Sequence, residues 1–302
     1  MRLAIAGSGD LASYLVEEFT AKGHDVVLLT RSLKPRFSDL SQVKQVIVDY
    51  AAVESIVNAI SDCEAMISTI LDYSEGFIDV HLALIEACKR SPLCKRFIPS
   101  EFGGNLETHP HQPEFYFRTR EPVRKVLRAQ TELEWTLISV GWLIDYVVPA
   151  KNRYLKDIGP AFPIDLENQT ILIPGTGLEP VNVTCARDVA KSLVALLRSA
   201  KWDTYTYITG EKTCWADISR AFTEKYPTFS ISHKDKAILE QEAKEGGDEA
   251  LFAEYQLFSV TGAACFDDAK VLNQRERFFP EIRFRNIQDL FGAVDKDNQV
   301  IV

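Results

Sequence analysis

Tyr116 and Arg120 stand four residues apart in the stretch EFYFRTREPVRKVL, residues 114–127. The phenol is a candidate proton donor in a reduction, and the cation beside it a candidate anchor. A lysine at position 120 could donate and lose a proton. An arginine, with a reference pKa above about 12, keeps its proton and offers a rigid five-donor fork to a ribose, a carboxylate or a developing oxyanion. Two local geometries are open. If a helix already includes residues 116–120, the two side chains share a face, but Pro122 then lies inside the helix and cannot donate to the carbonyl of Arg118. If Thr119 caps the helix, Pro122 falls in its first turn and Tyr116 lies in the preceding loop, which costs less.

A second constellation opens the chain. In Gly7-Ser8-Gly9-Asp10-Leu11-Ala12, the first glycine permits a tight turn, the second lets backbone approach a pyrophosphate, and the small Ala12 lets helix and strand pack closely. The motif follows an apolar run and precedes Leu11, Leu15 and Phe19 at helical spacing, so helix N-terminal amides face the anion. At the end of the second apolar run, where a carboxylate would accept from a ribose 2′-hydroxyl, the chain reads Thr30, Arg31 and, further on, Lys34. A basic fork there suits a 2′-phosphate, which points to NADP(H) rather than NAD(H).

These residues need a scaffold. The runs RLAIAG, DVVLLT, KQVIVDY, AMISTI, KRFIPS and EWTLIS alternate with helical patterns such as Val53, Ile56, Val57 and Ile60, which predicts an α/β fold with a doubly wound parallel sheet. The rhythm loosens after residue 148. Residues 1–148 are therefore read as a cofactor domain, to which 183–212 return as a helix and strand, and 149–302 as a smaller α+β substrate lobe. Of 302 residues, 34 are basic and 43 acidic, for a net charge of −9, and 46% are hydrophobic. That balance supports a sizeable core and disfavours nucleic acid and anionic membranes as partners. No run reaches about 18 apolar residues and the N-terminus turns polar too early for a signal core, so a cytoplasmic location is the expectation. The six scattered cysteines fit reduced thiols. His109 and His111 lack a third ligand nearby, so no metal is expected.

The glycine loop, Arg31, KRFIPSEFGG (95–104), VGWLIDYVVP (140–149) and ARDVAKSLVALL (186–197) together resemble the NmrA-like and isoflavone reductase-like family of atypical short-chain dehydrogenases, closest in flavour to its fungal NmrA-like members. The resemblance implies an NADPH-binding Rossmann domain. It implies that Ser68, Thr69 and Ile70, together with Pro99, Ser100, Glu101 and Phe102, line the cofactor, and that Gly141, Trp142, Asp145 and Tyr146 lead to the substrate. It also places the family's usual catalytic lysine at Arg120. The glycine loop is shorter here than the family's usual Gly-x-x-Gly-x-x-Gly. Two functions follow as expectations: an NADPH-dependent oxidoreductase acting by hydride transfer on an electrophilic C=C or C=N bond of an aromatic or alkaloid-like small molecule, a tailoring step of secondary metabolism (reduction or a hydride-assisted rearrangement or cyclisation), or a non-catalytic NADP(H) sensor with a regulatory protein partner.

Overall fold

The apolar runs become six parallel strands, β1 (Arg2–Ala6), β2 (Asp25–Thr30), β3 (Val43–Ile47), β4 (Ala65–Ser68), β5 (Arg96–Ile98) and β6 (Glu134–Trp135), in a computed structural model that describes residues 1–302. Their order is β3-β2-β1-β4-β5-β6. Chain direction across the sheet therefore reverses between β1 and β4, and in doubly wound folds that reversal opens the ligand crevice beyond the strand ends. Leu3, Ile5, Leu28, Ile67 and Phe97 are fully buried, each contributing about 1.5–3 kcal/mol of apolar burial. The crossovers carry α1 (Asp10–Ala21), α2 (Val53–Ala59), α3 (Gly76–Arg90) and α4 (Glu114–Ala129). Helix α1 buries Leu15, Val16 and Phe19. It ends just before Gly23, whose φ of +78° is a backbone conformation that glycine adopts without strain.

Helix α4 departs from the cheaper local geometry. It starts at Glu114, holds Pro122 inside and contains Tyr116, so Thr119 is not its cap. Glu254 explains the early start: its carboxylate accepts the Phe115 backbone N–H at 3.0 Å, satisfying a first-turn amide from a distant part of the chain. The Thr119 hydroxyl instead donates to the Tyr116 carbonyl at 3.3 Å, a back-bond within the helix.

The chain divides into two compact units, residues 1–101, 116–138 and 190–206 in one and 102–115, 139–189 and 207–302 in the other. Residues 190–206 fall in the first unit, and residues 102–115 and 139–148 group with the second. Their backbones are paired there: the Gly103 carbonyl accepts from Val140 and Gly141, and Asn105 N–H donates to the Ala263 carbonyl. In the second unit β7 (Trp142–Leu143), β10 (Pro180–Thr184) and β11 (Glu211–Cys214) form one three-stranded sheet, and β8 (Ile164–Asp165), β9 (Thr170–Pro174) and β12 (Ser230–Lys234) another. Helix α5 (Ala186–Leu196) starts in this unit. No helix is long and apolar enough to cross a membrane.

Candidate active site

The glycine loop is shaped by contacts that only glycine permits. Gly7 has φ +98°, and a Cβ there would meet Ile70 Cγ1 and Thr69 Oγ1 at 3.1 Å. Its N–H is shared between the Leu29 carbonyl at 3.0 Å and the Tyr50 hydroxyl at 3.1 Å. Tyr50 in turn donates to that same Leu29 carbonyl at 2.8 Å, and burial pushes its phenol up to about 12, so it stays a protonated strut. Gly9 precedes α1 with no side-chain cap, and a Cβ on it would meet nothing within 4 Å. Open space above uncapped helix amides fits a pyrophosphate, and a larger side chain at Gly9 would fill that space. Asp10 and Leu11 form the first turn of α1, and Ala12 is buried beneath it.

Ser8 and Thr30 join the loop to the end of β2 through a hydroxyl pair at 2.9 Å, and Thr30 passes its own proton to the Ser32 carbonyl at 2.7 Å. Arg31 is exposed just beyond. Lys34 is tied by its backbone to Gln45 in both directions and by Nζ to Ser32 Oγ at 3.1 Å. Arg36, which carries no spacing signal in the sequence, donates from Nη2 to the Ser8 and Gly9 carbonyls at 2.6 and 2.8 Å. Tyr50 carries none either. Both were visible only as an extra cation after Lys34 and an aromatic at the end of KQVIVDY.

Past β4, the Thr69 hydroxyl reaches the Ala6 and Gly7 carbonyls at 3.3 and 3.4 Å, and Ile70 N–H meets Ser68 Oγ at 3.4 Å. This turn therefore locks onto the glycine loop. After β5, Pro99 and Ser100 follow directly, and Ser100 N–H points at Nε2 of the fully buried His81 at 3.5 Å, while His81 Nδ1 lies 2.9 Å from the Phe77 carbonyl. Desolvation and the nearby Arg120 charge push His81 down to about 3. It is thus neutral, with Nδ1–H as donor and Nε2 as acceptor. The Glu101 side chain is engaged within the protein. Both its oxygens are held by Arg124, at 2.8 and 2.7 Å, in a bidentate pair with side chains 4% and 2% exposed. Phe102 has φ +40°, a strained value for a bulky residue.

Arg120 is 2% exposed. Its guanidinium carbon lies 3.9 Å from the Phe77 ring centre and 4.2 Å from that of Tyr116. Nη1 donates to the Asp72 carbonyl at 2.9 Å and to Thr119 Oγ1 at 2.5 Å. Tyr116 is half-buried, its ring 5.8 Å from that of Tyr73. The structure therefore brings Tyr116 and Arg120 into contact, with the cation on the phenol's face.

Trp142 and Asp145 are packed inside the second unit. Trp142 is 5% exposed, its indole N–H bonded to Ser259 Oγ at 3.0 Å, and Trp215 donates to the same oxygen at 2.8 Å. Asp145 is fully buried and accepts the Ala186 N–H at 2.8 Å, capping α5. Burial lifts its carboxyl to about 6, against the pull of that amide and of Arg285. Tyr146 is half-buried against Phe162, ring centres 5.0 Å apart.

Residues 6–162 match the NAD(P)H-binding family model. The chain belongs to that family. It is 45% identical to "Oxidoreductase swnR" of Arthroderma benhamiae over 307 residues, covering 100% of both chains. It is 44% identical to the protein of the same name from Metarhizium robertsii, covering 98% of each. Among solved structures, the binary complex of leucoanthocyanidin reductase with NADPH from Vitis vinifera superposes with a TM-score of 0.74 at 17% identity, covering 97% of this chain and 99% of that one, a likeness of fold. The NmrA-like and isoflavone reductase-like resemblance thus holds, and the chain is an NAD(P)H-binding oxidoreductase of that family. The loop from Gly7 to Leu11 lies inside the matched segment.

Proposed function

We propose that the protein is an NADPH-dependent reductase of an electrophilic C=N or C=C bond in an aromatic or alkaloid-like small molecule, with an iminium as the preferred acceptor. One observation carries this reading: Arg120, at the position where the family resemblance puts a catalytic lysine, is buried between two aromatic rings and unable to release a proton at any working pH. NADPH supplies the hydride when bound. An iminium carbon that accepts hydride becomes an amine without taking up a proton, so the balance closes with no acid from the protein. What this chain's residues then supply is orientation and charge. Arg31 and Lys34 supply cations toward a 2′-phosphate, and the loop from Gly7 to Leu11 supplies amides toward the pyrophosphate. The turn of Thr69 and Ile70, with Pro99 and Ser100, borders the nicotinamide end. Leu71 and Tyr73, 65% and 42% exposed in the following loop, suit an apolar, aromatic substrate.

NADPH consumption measured against cyclic imines, iminium alkaloids and aromatic enones tests the reading. Turnover of the iminium compounds with Tyr116→Phe near wild type supports it. A loss of about 100-fold in Tyr116→Phe makes that phenol the acid and moves the substrate to the enone class. The same buried Arg120 also suits an NADP(H) sensor that performs no chemistry. Tight NADP(H) binding with no turnover across the panel selects that second reading.

A further inference from the structure

Arg36 lies outside every role assigned above, and its contacts are unusual for an exposed arginine. A single nitrogen, Nη2, donates to two consecutive backbone carbonyls, Ser8 at 2.6 Å and Gly9 at 2.8 Å. The guanidinium carbon also sits 4.7 Å from the ring centre of Phe37, which is 3% exposed and so gives the side chain a fixed floor. Each trans peptide plane carries its C=O and the following N–H in opposite directions. Pinning the Ser8 and Gly9 carbonyls therefore aims the N–H groups of Gly9 and Asp10 the other way. These two amides stand at the uncapped start of α1, beside the open space at Gly9. The Gly9 carbonyl also accepts the Ser13 hydroxyl at 3.3 Å and, at the N-cap of α1, opens the helix hydrogen bonding, so the plane that depends on Arg36 is the one joining Ser8 to Gly9, which without a brace could turn its carbonyl toward an incoming anion.

We infer that Arg36 is a positioning residue that holds the shortened glycine loop with its amides, not its carbonyls, presented to the dinucleotide pyrophosphate. The brace comes from the basic loop after β2, where Arg31 and Lys34 lie, so one loop sets both the phosphate cradle and the cations near the adenosine end. The inference rests on NAD(P)H binding by the family and not on the proposed reaction. The pyrophosphate is common to NADPH and NADH, so a brace acts on both cofactors alike. A simple ligand of the 2′-phosphate acts on NADPH alone.

The experiment uses the full chain. NADPH and NADH are titrated into wild type, Arg36→Ala and Arg36→Lys by cofactor fluorescence, and hydrogen exchange of the Gly9 and Asp10 amides is followed without cofactor. Thermal melting checks that each variant is folded. Arg36→Ala is expected to weaken both cofactors by a similar factor, roughly tenfold for two lost charge-assisted bonds. It is also expected to speed exchange of the Gly9 amide more than that of Asp10, whose plane α1 itself holds, while Arg36→Lys recovers part of both effects. Loss confined to NADPH with unchanged amide exchange overturns the brace and makes Arg36 a 2′-phosphate ligand. Unchanged affinity for both cofactors overturns it outright. Failure of the substrate panel, by contrast, leaves these binding outcomes as they are.

Discussion

Arginine at position 120 can hold a charge in place but cannot pass a proton on, and its surroundings accentuate that difference. Stacking on Phe77 and Tyr116 and the bond to the Asp72 carbonyl make it a strut for the loop after β4. Arg120→Ala leaves that carbonyl without its donor and opens a void between rings, so a loss of about 2–4 kcal/mol in stability is expected from chemical unfolding. Arg120→Lys, which keeps a charge and a donor, should lose less. A variant as stable as wild type would remove the strut. Arg31→Ala should weaken NADPH by about 10-fold to 100-fold for one charge-assisted contact and leave NADH unchanged. Equal losses for both cofactors would show that Arg31 does not read the 2′-phosphate. The glycine spacing, Arg31 and the Tyr116–Arg120 pair were legible as residue types. The Arg36 brace was not, because it joins carbonyls 27 and 28 positions away and has no spacing signature.

Helix starts show where local reasoning stops. Helix α1 obeyed its glycines and apolar spacing. Helix α4 did not, because the carboxylate that satisfies its first turn comes from Glu254, 139 positions further on, and outweighs the local cost of Pro122. The start of α5 rests on Asp145 in the same way, which is why a residue expected beside the substrate is buried. That buried cap predicts a pH effect. The folded carboxyl titrates near 6, above its usual 3.8. Its contribution to stability is therefore fully present below the unfolded value and lost as pH rises through about 6, by about 3 kcal/mol at most. His81 has the opposite sign. Its folded value near 3 lies below 6.5, so its contribution is present above 6.5 and lost as pH falls toward 3. Urea unfolding from pH 4 to pH 7, roughly the window between these values, should show Asp145→Asn losing the first slope relative to wild type. Parallel curves would place that titration elsewhere.

At the level of the whole molecule, the six-strand order and the switch between β1 and β4 followed from apolar runs alternating with helical patterns, since parallel strands covered on both faces need continuous apolar sequence. The partition into units was less legible. Residues 102–115 and 139–148 read as part of the first domain because they adjoin its strands in sequence, while their backbone bonds lie with Ala263 and with one another. Chain composition is silent on such pairings, as it is on Trp142, whose aromatic type fits a core and a pocket equally well. The central claim joins all three scales: a nicotinamide-binding fold whose usual acid position is a fixed cation delivers hydride to an acceptor that needs no proton. It is tested most directly by NADPH carrying deuterium at the transferable position, incubated with the enzyme and a cyclic iminium compound. The account predicts deuterium on the former iminium carbon, at rates that Tyr116→Phe leaves near wild type. NADPH bound tightly with no deuterium transferred to any imine, iminium or enone of the panel would contradict it.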